Sequence, residues 1–190
     1  MIKAQYTDKK LITNILTEAF DSNTSVNYVV RQDKKRKLRI LRLMEYTFDI
    51  CWESGEIYLT SDRNGAALIQ LPHTKKASLK SIFRDIRLVF YAIGVFKAMK
   101  VLKMESKIKE HYPARLMYIS FIGIHPEHQG KGIGSELLQE ILRISNANKI
   151  PVYLETSMSA NIPFYTKFNF EMYHTLTPEH VIYMFRKENS

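Results

Sequence analysis

The chain alternates between helical and strand-like spacing of its hydrophobic residues. Residues 2–6 read as a short strand, and Thr7 then stands where a helix cap would. Leu11, Ile12, Ile15, Leu16, Ala19 and Phe20 then follow at helical intervals. A second helix is expected over residues 33–53, with Leu38, Leu41, Met44 and Phe48 on one side and Gly55 ending it. EIYLTSDRNGAALIQLP reads as a hairpin with a turn at Asn64-Gly65, closed by Pro72. Residues 78–110 carry helical spacing, as one helix or two broken near Gly94.

The second half changes character. RLMYISFIGIHP is apolar at nearly every position, the pattern of a central strand covered on both faces. A helix to about Asn148 follows, then PVYLET as another buried strand and SANIPFYTKFNF as a short helix. Final strands are expected at 170–175 and 180–186. This order predicts one mixed α/β (α+β) domain over residues 1–190, with a strand, a glycine loop and a helix at its centre.

Composition and charge narrow the function classes. A chain of 190 residues with 45% hydrophobic and 12% aromatic content can bury a core, which excludes wholesale disorder. Cys51 stands alone, so an internal disulfide is excluded and a reducing, cytoplasmic setting is expected. MIKAQYTDKK lacks the apolar run of a signal peptide. The most apolar long stretch, residues 82–102, carries Arg84, Asp85, Arg87, Lys97 and Lys100, so no transmembrane segment is expected. The formal net charge of +9 suits an anionic partner: nucleic acid, a lipid surface or a phosphorylated cofactor. The basic runs DKKRKLR and KAMKVLKMESKIK read as solvated helix faces, and no specific nucleic acid is expected.

Gly130, Gly132 and Gly134 stand at the mouth of a helix whose Ile133, Leu137, Leu138, Ile141 and Leu142 form an apolar stripe. Glycine weakens a helix, so something there requires bare backbone. The first helical turn offers free N–H groups and the positive end of the dipole, and Lys131 adds a charge, so an anion can approach closely. The phosphate-binding P-loop fails on spacing: six residues separate Gly123 from Gly130-Lys131, and Gly132 follows the lysine. The dinucleotide fingerprint fails because its last glycine comes one residue early.

What fits is Gln129-Gly130-Lys131-Gly132-Ile133-Gly134, set between RLMYISFIGIHP and a helix and followed by PVYLET and NIPFYTKFNF. Over residues 114–175 the chain resembles the GCN5-related N-acetyltransferase (GNAT) superfamily, and YLETS with NIPFYTKFNF looks most like its puromycin-type branch. The resemblance implies a mostly antiparallel twisted sheet, splayed between its fourth and fifth strands and flanked by helices. It makes residues 73–113 a long helical insertion, and it implies acetyl-CoA as cofactor. Ile122, Gly123 and Ile124 would meet the pantetheine arm through backbone groups. The amides of Gln129, Gly130, Lys131, Gly132, Ile133, Gly134 and Ser135 would hold the pyrophosphate. Asn161 would contact the arm, and Tyr165 would sit near the sulfur. The family usually has Gly where this chain has Asn169, and Asn is the residue that best tolerates the left-handed backbone expected there.

Acetyl transfer from a thioester to an amine needs an acid for the departing thiolate and a base for the amine. Tyr165 suits the first role, against the alternative of a ring packed beside Phe164 and Phe168. Glu155, at the end of a buried strand, is the best-placed carboxylate for the second, against the alternative of a residue capping the next turn. Tyr118 and Ser120 are expected on the face of Ile122, where they could order a water. His125 and His128 in HPEH read as ordinary loop residues, so no metal is expected. The leading function is N-acetyl transfer to a primary amine of a small molecule: antibiotic-like, polyamine or amino-acid-like. A protein N-acetyltransferase, a non-catalytic acyl-CoA-binding module and a basic surface-binding protein are the alternatives. A homodimer is left open as an assembly. No motif in residues 73–113 identifies the acceptor.

Overall fold

The protein, seen here as a computed structural model, is described over residues 1–74, 86, 88–177 and 181–189. Chain order gives β1 (Ile2–Lys3), α1 (Lys9–Ala19), α2 (Thr24–Val29), α3 (Arg36–Ser54), β2 (Gly55–Leu59) and β3 (Gly65–Gln70). A π-helical turn (Val89–Ile93) leads into α4 (Val95–Lys109), followed by β4 (Met117–Ile124), α5 (Ile133–Asn148) and β5 (Val152–Thr156). The chain closes with α6 (Ile162–Lys167), β6 (Glu171–Leu176) and β7 (Ile182–Lys187).

The strands form one sheet in the order β1-β2-β3-β4-β5-β7-β6. Every neighbouring pair is antiparallel except β4 and β5. Strand β3 shows how the layers are built. Alternate side chains leave opposite faces of a strand. Ala66 and Leu68 join a core with Ile12 and Leu16 of α1 and Ile40, Met44 and Phe48 of α3. Ala67 and Ile69 join a second core with Leu137, Leu138 and Ile141 of α5. Both cores exclude water, and each buried side chain contributes roughly 1.5–3 kcal/mol of hydrophobic stabilisation. The mixed sheet flanked by helices matches the fold class expected from the sequence.

Several local expectations are corrected. The first strand is only two residues long, and the turn before α1 is closed by Asp8, whose carboxylate accepts from the Gln5 amide at 2.9 Å, rather than by Thr7. On α3, Leu38 is exposed and Ile40 takes the core position, which rotates the buried face. The hairpin bend is not a two-residue turn at Asn64-Gly65. It runs through residues 60–64, and Gly65 already pairs with Ile124. There the Thr60 hydroxyl accepts from the amides of Asn64 and Gly65 at 3.2 and 2.9 Å and donates to Asp62, which replaces the tight turn with a side-chain-organised loop. Helix α2 was not foreseen, although Asn23 caps it by accepting from the Val26 amide at 3.0 Å. The break at Gly94 is where expected, at φ 86. The helical spacing read over residues 78–85 and the strand start at residue 180 lie outside the described residues.

Gly55 joins α3 to β2 in extended backbone that any residue adopts, with φ −164°. Space is what selects glycine: a Cβ there would lie 2.0 Å from the Ile69 carbonyl oxygen. Backbone cannot yield as a side chain can, so Gly55→Ala is expected to destabilise the fold by about 1–3 kcal/mol, the usual cost of overpacking. A urea midpoint unchanged from wild type would contradict this account.

Candidate active site

The site begins where two strands part. β4 and β5 pair only at Met117–Val152 and Tyr118–Tyr153, and then separate although both continue. On its other side β4 follows β3 to Ile124, with a bulge that leaves Ser120 opposite no residue. Beyond the bulge, the His125 amide bonds to the Asn64 carbonyl at 2.8 Å, so His125 and Gly123 turn their backbone groups toward β3. By alternation Ile122 and Ile124 turn theirs into the gap. The Ile124 carbonyl accepts from Gln129 Nε2 at 2.9 Å. The backbone groups of Ile122 are left facing open space. Gly123 has a packing role: a Cβ there would lie 3.0 Å from Ala19 Cβ and 3.1 Å from Leu16 Cδ2, so its bare Cα lets α1 cross the strand closely.

The glycine loop lies at the mouth of the gap. Gly130 and Gly132 adopt φ 76 and 82, conformations that side-chain-bearing residues disfavour. A Cβ at either would meet nothing within 4 Å, so backbone conformation rather than crowding selects these glycines. The amides at the two ends of the expected anion cradle are engaged, Gln129 to Pro126 at 3.3 Å and Ser135 to Gly132 at 2.9 Å. Those of Gly130, Lys131, Gly132, Ile133 and Gly134 donate to no backbone carbonyl among the described residues. The cradle is therefore narrower than the sequence suggests, and it opens at the positive end of α5.

Two cavities meet behind this loop. One, about 410 Å³, is lined by Ile122, Gly123, Ile124, Gln129, Gly134, Asn161 and Tyr165, drawing together most of the positions singled out from the sequence. The other, about 380 Å³, is walled by α2, α3 and α4 and contains Tyr118 and Glu155. Tyr165, Asn161, Ile122, Phe20 and Asn23 line both. Tyr165 is held by rings of Phe164, Phe170 and Phe185, with centroids 5.3, 5.8 and 5.5 Å away. Its hydroxyl has no hydrogen-bond partner among the described residues, and burial pushes its pKa up to about 12. Asn161 Nδ2 donates to Thr156 Oγ1 at 3.2 Å, and Asn169 adopts φ 59, the left-handed conformation expected past α6.

Glu155 sits at the far end of the gap. Its carboxylate accepts from Tyr112 Oη at 2.6 Å and Tyr118 Oη at 2.5 Å. Burial raises its pKa to about 7, the two hydroxyl donors oppose that rise, and nearby Glu105 adds to it. Both tyrosines are in turn pushed far above the free phenol by burial and by the carboxylate. Tyr112 was missed in the sequence because nothing local marks it; it follows α4, and only the fold carries it to β5. Ser120 accepts from Gln70 Nε2 at 2.8 Å and is occupied there. His125, Glu127 and His128 bring possible ligand atoms within 4.8 Å of one another, a grouping that the 3₁₀ turn Pro126–His128 accounts for by itself.

Known proteins resemble parts of this chain and its fold. Residues 90–172 match the family model of the acetyltransferase (GNAT) domain. An uncharacterized N-acetyltransferase of Schizosaccharomyces pombe is 36% identical over 53 residues, which are 28% of this chain and only 22% of that protein. The whole fold resembles a histone acetyltransferase HPA2 and related acetyltransferase from Corynebacterium glutamicum, with TM-score 0.74, 18% identity, and 100% of this chain and 95% of the other covered. It also resembles a GNAT family acetyltransferase from Brucella melitensis solved with acetyl-CoA, at TM-score 0.51 and 13% identity, covering 98% and 85% of the two chains. The fold is thus that of the GNAT acetyltransferases. No helix among the described residues is long and apolar enough to cross a membrane.

Glu155 also makes a stability prediction. Its folded pKa of about 7 lies above the ordinary 4.5, so between these values the folded protein holds a proton that the unfolded chain has lost. Its contribution to stability therefore falls as pH rises through that window and stays lost above it. Glu155→Gln keeps an acceptor for one tyrosine and removes the titration. Relative to wild type, the variant is expected to gain stability from pH 5 to pH 8, on the order of 2 kcal/mol. Parallel stability–pH curves for the two proteins would contradict the raised pKa.

Proposed function

We propose that the protein is an acetyl-CoA-dependent N-acetyltransferase acting on a primary amine of a small molecule. The observation that carries this reading is the meeting of the two cavities at Tyr165, one running to the glycine loop and the other to Glu155. Acetyl-CoA fits the first on three counts. The amides of Gly130 to Gly134 donate to no backbone carbonyl among the described residues and so could hold a pyrophosphate, the backbone of Ile122 faces the gap, and nothing crowds Gly130 or Gly132. When bound, the cofactor supplies an acetyl thioester. The puromycin-type affinity rests on YLETS and NIPFYTKFNF alone.

The chain's residues then divide the work. The carboxylate of Glu155, with a pKa of about 7, accepts the ammonium proton of the acceptor near neutral pH. Tyr112 and Tyr118 fix the carboxylate by donating to both of its oxygens. Tyr165, at the meeting of the two cavities, would donate a hydrogen bond to the thioester sulfur. Burial keeps this hydroxyl protonated up to about pH 12, so the alkaline limb expected from a free phenol moves beyond the usual working range. The same burial makes it a weaker acid. Its contribution would be a hydrogen bond that stabilises the charge on the leaving sulfur.

Three substitutions test the assignments. Gly134 lines the cofactor cavity in ordinary helical backbone, and a Cβ there meets only Ile124 Cγ1, at 3.6 Å. Gly134→Leu is therefore expected to fold normally and to abolish the rise in melting temperature caused by acetyl-CoA; an undiminished rise would sink the cofactor assignment. Tyr165→Phe preserves the ring packing and should lower kcat by roughly 10²- to 10⁴-fold with little change in cofactor affinity. Glu155→Gln should cost roughly 10²-fold or more in kcat/KM and remove the limb near pH 7. Wild-type turnover in either variant would take that residue out of the chemistry.

A further inference from the structure

The second cavity also constrains the acceptor, on the premise that the site transfers acetyl to an amine. We infer that the acceptor is a monoamine whose remaining body is uncharged and apolar, so that polyamines and amino acids are poor substrates. Among the described residues, the charged side chains lining this cavity are Glu155, Glu105 and Lys109. The last two pair with each other at 3.0 Å, and both are largely exposed, so they belong to the rim. Glu155 is the charge in the interior.

One interior carboxylate matches one ammonium. Glu155 marks the head of the cavity, where Tyr112 and Tyr118 leave it able to hold and deprotonate a cation. Away from that head four separate segments contribute the apolar Val29, Leu43, Ile93, Val101, Met104 and Ile108, and the polar side chains among the described lining, such as Asn23, Thr47, Ser54 and Gln70, are uncharged. A second ammonium would have to exchange its water for neutral groups with no second carboxylate in the interior among the described residues, and a charge away from water without a counter-charge is penalised. A substrate carboxylate fares no better, because Lys109 is engaged by Glu105 at the rim. A hydrocarbon or aromatic body instead gains from every apolar side chain it covers. About 380 Å³ accommodates a small molecule and excludes a folded polypeptide.

A matched trio of six-carbon amines tests this directly: hexylamine, 1,6-diaminohexane and 6-aminohexanoate. Binding to the wild-type protein is measured by calorimetry with CoA present, which lacks the acetyl group and permits no turnover. CoA release from acetyl-CoA is measured separately. Hexylamine is expected to bind at least about ten-fold tighter than either partner, roughly 1.4 kcal/mol. Equal or tighter binding of the diamine or the zwitterion overturns the inference, and so does failure of all three to bind. Tight hexylamine binding without CoA release keeps the inference and refutes acetyl transfer. CoA release with the diamine preferred does the reverse. In a second arm, Met104→Asp adds a carboxylate to the apolar wall and should shift the binding ratio at least ten-fold toward the diamine; an unmoved ratio overturns the assignment of that wall to the acceptor.

Discussion

Everything at the site depends on the failure of β4 and β5 to stay paired. Two residue pairs hold the strands together, and past Tyr118 and Tyr153 their facing edges are left open. An unpaired edge inside a protein is costly unless something satisfies its polar groups. Here part of the answer is built in, since Gln129 caps the carbonyl of Ile124. The rest, at Ile122, remains available to an extended ligand. A sheet of seven strands thus contains a slot in its middle, and the core built on α5 spans both halves.

The bulge at Ser120 decides what the slot presents. Without the extra residue, the alternation set at the paired end would continue along β4 and turn Ile122 toward β3. With it, the phase shifts by one, and Ile122 and Ile124 face the opening. On the opposite flank, β5 is paired to β7 along its whole length, which fixes Glu155 from behind while its side chain meets Tyr112 and Tyr118. The carboxylate's raised pKa follows from this enclosure rather than from any single neighbour.

Much of this was legible in the sequence wherever the information is local. The spacing of Gly130, Gly132 and Gly134 before an apolar stripe located the loop and α5, and Asn169 announced its left-handed turn, found at φ 59. Glu155 could be picked out because a buried strand ends beside it. What stayed hidden depends on distant partners. Tyr112 reaches Glu155 across 43 positions of chain, and Gly55 is dictated by the carbonyl of Ile69 on the neighbouring strand. Neither leaves a periodic trace. The hairpin bend was misplaced because Asn64-Gly65 is a strong turn signal, and the hydroxyl of Thr60 outcompetes it. On α3, charged and apolar residues alternate so closely near its start that Leu38 and Ile40 were equally plausible core members.

The placement of Tyr112 links two properties that enzymes often keep apart. The stretch from Leu88 to Tyr112 forms one wall of the cavity that holds Glu155 and, at its end, supplies a hydroxyl to the carboxylate. The glycine loop lies elsewhere in the chain and takes no part in that wall. Over evolutionary time such a layout lets one contiguous segment be rewritten for a new acceptor while nucleotide recognition is inherited intact. A rewriting that moves Tyr112 would also alter one of the two hydroxyl donors that oppose the rise in the Glu155 pKa, so under the proposed function the acceptor pocket and the readiness of the carboxylate would change together.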